Sequence, residues 1–120
     1  MKDKQIQTND PLYCGVKGKH RTDTAVTKES IPLDVRRSLR IIRASSSFDW
    51  GHFCRGARQL AAALLFDATG NTDTATRYSE TFALEVVSQW KQPKWKISRS
   101  EVLAWVDAKM GVALPEGIGQ

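Results

Sequence analysis

Apolar residues recur with two different periods along this chain of 120 residues, and the change of period separates a strand-forming beginning from a helical remainder. Over residues 57–69, Leu60, Ala61, Leu64, Leu65 and Ala68 fall at three- and four-residue steps, which places them in one stripe along a helix. Gly70 follows as its left-handed terminator. Asn71 or Thr72 is suited to cap a second helix, expected over residues 73–90, in which Ala75, Tyr78, Phe82, Val86 and Trp90 continue the same steps. The two helices are expected to face each other across this tight connection. Pro93 breaks the chain, and Trp95-Lys96-Ile97 reads as a short extended piece. Ser98-Arg99-Ser100-Glu101 has the form of a capping box, opening a third helix that carries Val102, Leu103, Trp105 and Val106, runs to residue 109 and stops at Gly111.

Before residue 57 the patterns are shorter. Residues 11–16 alternate between apolar and polar, Lys17-Gly18-Lys19-His20 reads as a turn, and Thr24-Ala25-Val26-Thr27 supplies β-branched residues for a second, antiparallel strand. Ile31-Pro32-Leu33 either extends this pair or ends it, because proline removes a ladder donor. Asp34 precedes a segment, residues 35–43, that reads equally as helix or as extended chain. If helical, it sets Val35, Leu39 and Ile42 on one face and Arg36, Arg40 and Arg43 on the other, with Arg37 beside them. A serine-rich loop follows. The fold expected from these elements is α+β: a short N-terminal antiparallel β-hairpin or small sheet packed on two to three helices. Residues 11–110 form the single domain, with a flexible N-terminus at 1–10 and a C-terminal tail at 111–120.

Composition adds little to this picture, but charge does. Residues 1–56 carry 11 Lys and Arg against 6 Asp and Glu, whereas residues 57–120 carry 7 against 7. The whole excess of +5 therefore lies in the first half, which suggests a basic face for nucleic acid or an acidic partner. Residues 1–10 lack the apolar core of a secretory signal, and no segment has the ~20 apolar residues of a membrane span, so a cytoplasmic protein with no membrane contact is expected. In that compartment Cys14 and Cys54 are expected to be reduced packing residues.

The run Phe48-Asp49-Trp50-Gly51-His52-Phe53-Cys54-Arg55-Gly56-Ala57 leads directly into Arg58-Gln59-Leu60-Ala61-Ala62-Ala63-Leu64-Leu65. It resembles the pattern F-x-W-G-Y-x-G-S-G-P-x-Q-L-A-L-A-L-L of a small uncharacterised domain family met in phages, plasmids and haloarchaea. A Tyr-x-Gly-x-basic element is similar to Tyr13-Cys14-Gly15-Val16-Lys17, and the closing Trp with its capped helix is similar to the stretch from Trp95 to Val106. The chain departs from the pattern at His52, Phe53, Cys54, Arg55 and Ala57, which makes this loop bulkier and more basic. The resemblance implies a fold and a mobile-element setting, and no reaction.

Several constellations could carry chemistry. Trp50-Gly51 reads as a buried anchor beside a tight turn, or as part of a ligand loop lined by Asp49, His52 and Arg55. Asp49, His52 and Cys54 put a nucleophile near a base, but their spacing matches no recurrent catalytic arrangement, so no enzyme is expected. A zinc site would recruit Cys14, His20, His52 and Cys54, whose spacing is not that of a finger; no metal or cofactor is expected. No phosphate-cradling or dinucleotide motif occurs. Two basic sets remain: Arg36, Arg37, Arg40 and Arg43, whose forked guanidinium groups suit phosphates and carboxylates, and the Trp90–Lys96 cluster, where two aromatics, Trp90 and Trp95, interleave with Lys91, Lys94 and Lys96 as on single-strand platforms. Either set also reads as an ordinary solvated face. The resulting expectation is a non-enzymatic binding module. By resemblance its partner is a host protein or protein complex, as for an anti-defence or anti-CRISPR type inhibitor from a mobile element; the alternative is a nucleic-acid-binding accessory protein using both basic sets.

Overall fold

The alternating segment near the N-terminus becomes the central strand of an antiparallel sheet. In the computed structural model, which describes residues 10–20 and 23–111, β1 (Leu12–Val16) pairs with β2 (Ala25–Lys28) on one side. Its other neighbour is β4 (Lys94–Ser98), and the two-residue β3 (Ile31–Pro32) extends β2, giving the order β3-β2-β1-β4. The expected hairpin is therefore present, and Ile31-Pro32 extends it. The extended piece around Trp95 proves to be a full sheet strand. The tails expected at 1–10 and 111–120 fall outside the described residues except for Asp10 and Gly111.

Four helices accompany the sheet: α1 (Val35–Ser38), α2 (Arg55–Thr69), α3 (Thr72–Glu85) and α4 (Arg99–Met110). The helix ends follow local chemistry. Gly70 and Gly111 stop α2 and α4 in the left-handed conformation, and the Asn71 side chain caps α3 by accepting from the Thr74 N–H. Ser98 and Glu101 form the complete capping box of α4. Tyr13 and Gly15 face these helices while Leu12 and Val16 are exposed, so the sheet has one covered face. A single core joins Tyr13, Trp50, Leu64, Phe82, Trp95 and Val102.

One expectation is corrected and one open alternative is decided. The second long helix ends at Glu85 rather than residue 90: Val86 departs to φ −117°, and a short 3₁₀ turn, Val87–Gln89, redirects the chain. The redirection brings Trp90 onto Trp95, stacked at 4.2 Å between ring centroids and 19° between planes. Tertiary packing thus overrides a helical period that Val86 and Trp90 would otherwise continue. The arginine-rich segment forms only the single turn of α1. Fully buried Gln59 of α2 takes over the polar groups that a longer helix would use internally. Its Oε1 accepts from the N–H groups of Ala44 (2.8 Å) and Ser45 (3.0 Å), and its Nε2 donates to Ser38 Oγ (2.8 Å) and the Ile42 carbonyl (3.0 Å).

Strand pairing sets Gly15 opposite Trp95, and the indole lies across the glycine: a Cβ at position 15 would stand 2.2 Å from Trp95 ring atoms. Trp50 meets the same indole edge-on, with centroids 5.6 Å apart, and its own Nε1–H donates to the Gln92 carbonyl at 3.1 Å. One methyl group at position 15 therefore displaces a ring that two other tryptophans lean on. Gly15→Ala is expected to cost about 2–3 kcal/mol, an overpacking penalty in a rigid aromatic cluster. Denaturant unfolding of the variant measures it, and an unchanged midpoint would contradict this packing.

Candidate functional site

The segment from Ser45 to Gly56 crosses the covered side of the sheet and, with the β1–β2 connection, borders a groove of about 1100 Å³. Two glycines make this path available. Gly51 takes φ +91°, a region costly for other L-residues, and a Cβ on Gly56 would come within 2.6 Å of Asp49 Cβ. Asp49 can therefore lie directly against the first turn of α2.

Lys17, immediately after β1, fixes that carboxylate. Lys17 Nζ donates to Asp49 Oδ1 at 2.7 Å and to the Trp50 carbonyl at 3.2 Å, and it sits 4.6 Å from the Trp50 ring centroid. The Trp50 N–H donates to the same Oδ1 at 2.8 Å. Partial burial acts to raise the Asp49 pKa, but the hydrogen bonds from Lys17 and the Trp50 N–H, with the charges of Lys17 and His52, outweigh it and hold the carboxyl below its usual range. Oδ2 stays turned toward its loop neighbours, 3.9 Å from both Cys54 Sγ and His52 Nε2.

The remaining expected site residues are dispersed. Arg55 begins α2 at the groove and is exposed, like His52. Arg36, Arg37, Arg40 and Arg43 are all exposed, but Arg36 folds back onto Asp34, donating from Nε and Nη2 at 3.1 Å each. Those bonds hold the Asp34 carboxyl below its ordinary range. Lys91 donates to the Gly51 carbonyl at 2.8 Å and so braces the loop from behind. Lys94 and Lys96 are exposed on the open face of β4, whereas Trp95 between them points into the core and offers no surface for stacking a base. Cys14 and Cys54 are free and half-buried. Of the zinc set read from ligand types, His52 and Cys54 come together with Asp49, and that trio excludes Cys14 and His20.

Lys17 and Tyr13 were not among the candidate site residues, although both stand in the Tyr-x-Gly-x-basic element. Tyr13 Oη donates to Asp67 Oδ2 at 2.7 Å, and Asp67 also pairs with Lys28 at 2.9 Å. Burial, then the bond to Asp67 and its charge, push the Tyr13 phenol far above its usual pKa. The motif positions thus divide the work among them, with Tyr13 tying β1 to α2, Gly15 admitting Trp95 and Lys17 locking Asp49.

A family model described as a family of unknown function, DUF6166, matches residues 13–108. The chain belongs to the DUF6166 family. No curated protein and no solved structure matches it. The DUF6166 match begins at Tyr13 and ends within α4, so it includes the whole sheet apart from Leu12, the tryptophan cluster and the Lys17–Asp49 pair.

Because folding lowers the Asp49 pKa, the pair adds stability above the unfolded carboxyl value of about 3.9, and that contribution disappears as pH falls through the lower folded value. Thermal midpoints should therefore drop more steeply for wild type than for Asp49→Asn as pH is lowered below about 4. Parallel midpoint curves for the two proteins would show that the pair is not formed in solution.

Proposed function

We propose that this DUF6166 protein is a non-enzymatic binding module that holds an acidic segment of a host protein complex in the groove beside the Trp50 loop. One observation carries the reading. The groove presents Lys19, His20, His52 and Arg55, all exposed, whereas Asp49, its sole acidic side chain among the described residues, is already paired with Lys17. Such a surface attracts carboxylates and steers an acidic partner toward it. The resemblance to proteins of phages and plasmids supports a mobile-element origin, and with it the role of an anti-defence inhibitor acting on a host complex.

A second reading, nucleic-acid binding, draws on Arg37, Arg40 and Arg43 together with Lys94 and Lys96, which are exposed and form no ion pair among the described residues. It rests on phosphate contacts, since Trp95 is buried.

Capture from host lysate with wild type and with a Lys19→Glu/Arg55→Glu variant separates these readings. Wild type should retain a protein complex, and the variant should lose affinity by at least about tenfold, or ~1.4 kcal/mol. Equal retention by both would remove the groove from the interface. A gel-shift complex whose log affinity falls with log salt at a slope near −4.5, as for about five phosphate contacts on duplex DNA, would instead favour the nucleic-acid reading.

A further inference from the structure

The Trp50 loop brings three different metal-ligating atoms to one point. One ligating atom from each of Asp49, His52 and Cys54 lies within 4.8 Å of the other two, and Asp49 Oδ2 is 3.9 Å from both Cys54 Sγ and His52 Nε2. We propose that Asp49, His52 and Cys54 bind a divalent cation of the zinc class, leaving one coordination position open to the groove.

The spacing is compatible with a metal. A tetrahedral zinc with bonds of about 2.0–2.3 Å sets its ligand atoms about 3.3–3.6 Å apart, so the carboxylate oxygen must approach its two neighbours by roughly half an ångström, and the His52 nitrogen and Cys54 sulfur must close by at most about 1.2 Å. The His52 side chain is 62% exposed, which leaves it room to rotate toward the other two.

The carboxylate is already aimed. Oδ1 is occupied by Lys17 Nζ and the Trp50 N–H, and this leaves Oδ2 as the free donor in a fixed direction, which is how outer-shell partners orient a metal ligand. Gly51, at φ +91°, turns the chain so that positions 52 and 54 return beside position 49.

Donor chemistry selects the ion. One thiolate, one imidazole and one carboxylate suit zinc or cobalt, whereas magnesium and calcium favour all-oxygen sets. The charges of Asp49 and the Cys54 thiolate together balance a dication. Lys17 and Arg55 nearby oppose it, so affinity should fall below that of a closed four-ligand structural site. The Cys and His spacing alone carries no zinc signature, and Asp49 is the donor that completes the set. Both residues it completes, His52 and Cys54, are among the positions where this chain departs from the motif it resembles.

Metal binding at this loop is independent of the partner reading and is measured on the purified protein alone. Chelator-stripped full-length protein is titrated with Co²⁺ and followed by absorption. A single equivalent should produce visible d–d bands of tetrahedral intensity together with a near-ultraviolet thiolate-to-cobalt band, and Zn²⁺ should displace it. Cys54→Ser should abolish the thiolate band while keeping the circular dichroism of wild type, since serine is a good N-cap for α2. His52→Ala should weaken binding by at least about tenfold, the lower end of the effect of even outer-shell partners. Cys14→Ser should leave the titration unchanged. Absence of a cobalt band in wild type, or a band that survives Cys54→Ser, overturns the proposal.

Discussion

The indole of Trp95 lies across Gly15 in space that even a methyl group would fill, and the remainder of the fold is arranged around that contact. It joins β1 and β4, the first and last strands in the chain, through a side chain rather than through the ladder alone. Trp90 covers one face of the ring and Trp50 meets it edge-on. Because Trp50 also donates to the Gln92 carbonyl, the Ser45–Gly56 segment is pinned to the turn before β4. Loops placed by a rigid aromatic cluster can hold side chains in fixed geometry without being strands or helices themselves.

The Lys17–Asp49 pair depends on this arrangement and in turn defines the groove. Lys17 leaves β1 two residues after Gly15, and its ammonium reaches across the Trp50 ring to the carboxylate. Such a half-exposed pair contributes little to stability by itself. Its effect is orientation, since it neutralises the acidic side chain at the groove and directs the second carboxylate oxygen toward His52 and Cys54. The basic surface of the groove and the trio of ligating atoms are thus two consequences of one contact.

Much of the fold was legible because it is written in local chemistry. Gly70, Asn71, the Ser98–Glu101 box and Gly111 each satisfy backbone groups within a few residues, so their positions can be read without knowing what surrounds them. What escaped was non-local. The break of α3 at Val86 serves Trp90 stacking, and the shortness of α1 reflects Gln59 from a different helix. Lys94-Trp95-Lys96-Ile97 did carry the alternation of a strand, which by itself implies that Trp95 faces opposite to its lysines; cation and aromatic composition suggested a surface platform instead. The Asp49, His52 and Cys54 grouping was visible as proximity in sequence, but its convergence requires the positive φ of Gly51, which no side-chain pattern announces.

The central claim, that the tryptophan cluster holds the Trp50 loop as part of the core, is tested most directly by native-state hydrogen exchange at the Trp50 indole N–H. With this group donating to the Gln92 carbonyl inside the cluster, its exchange should be as slow as that of the most protected amides of α2 and should require global unfolding. Exchange at the rate of exposed loop amides would contradict the account, because the loop would then open independently of the fold and the groove would have no fixed wall.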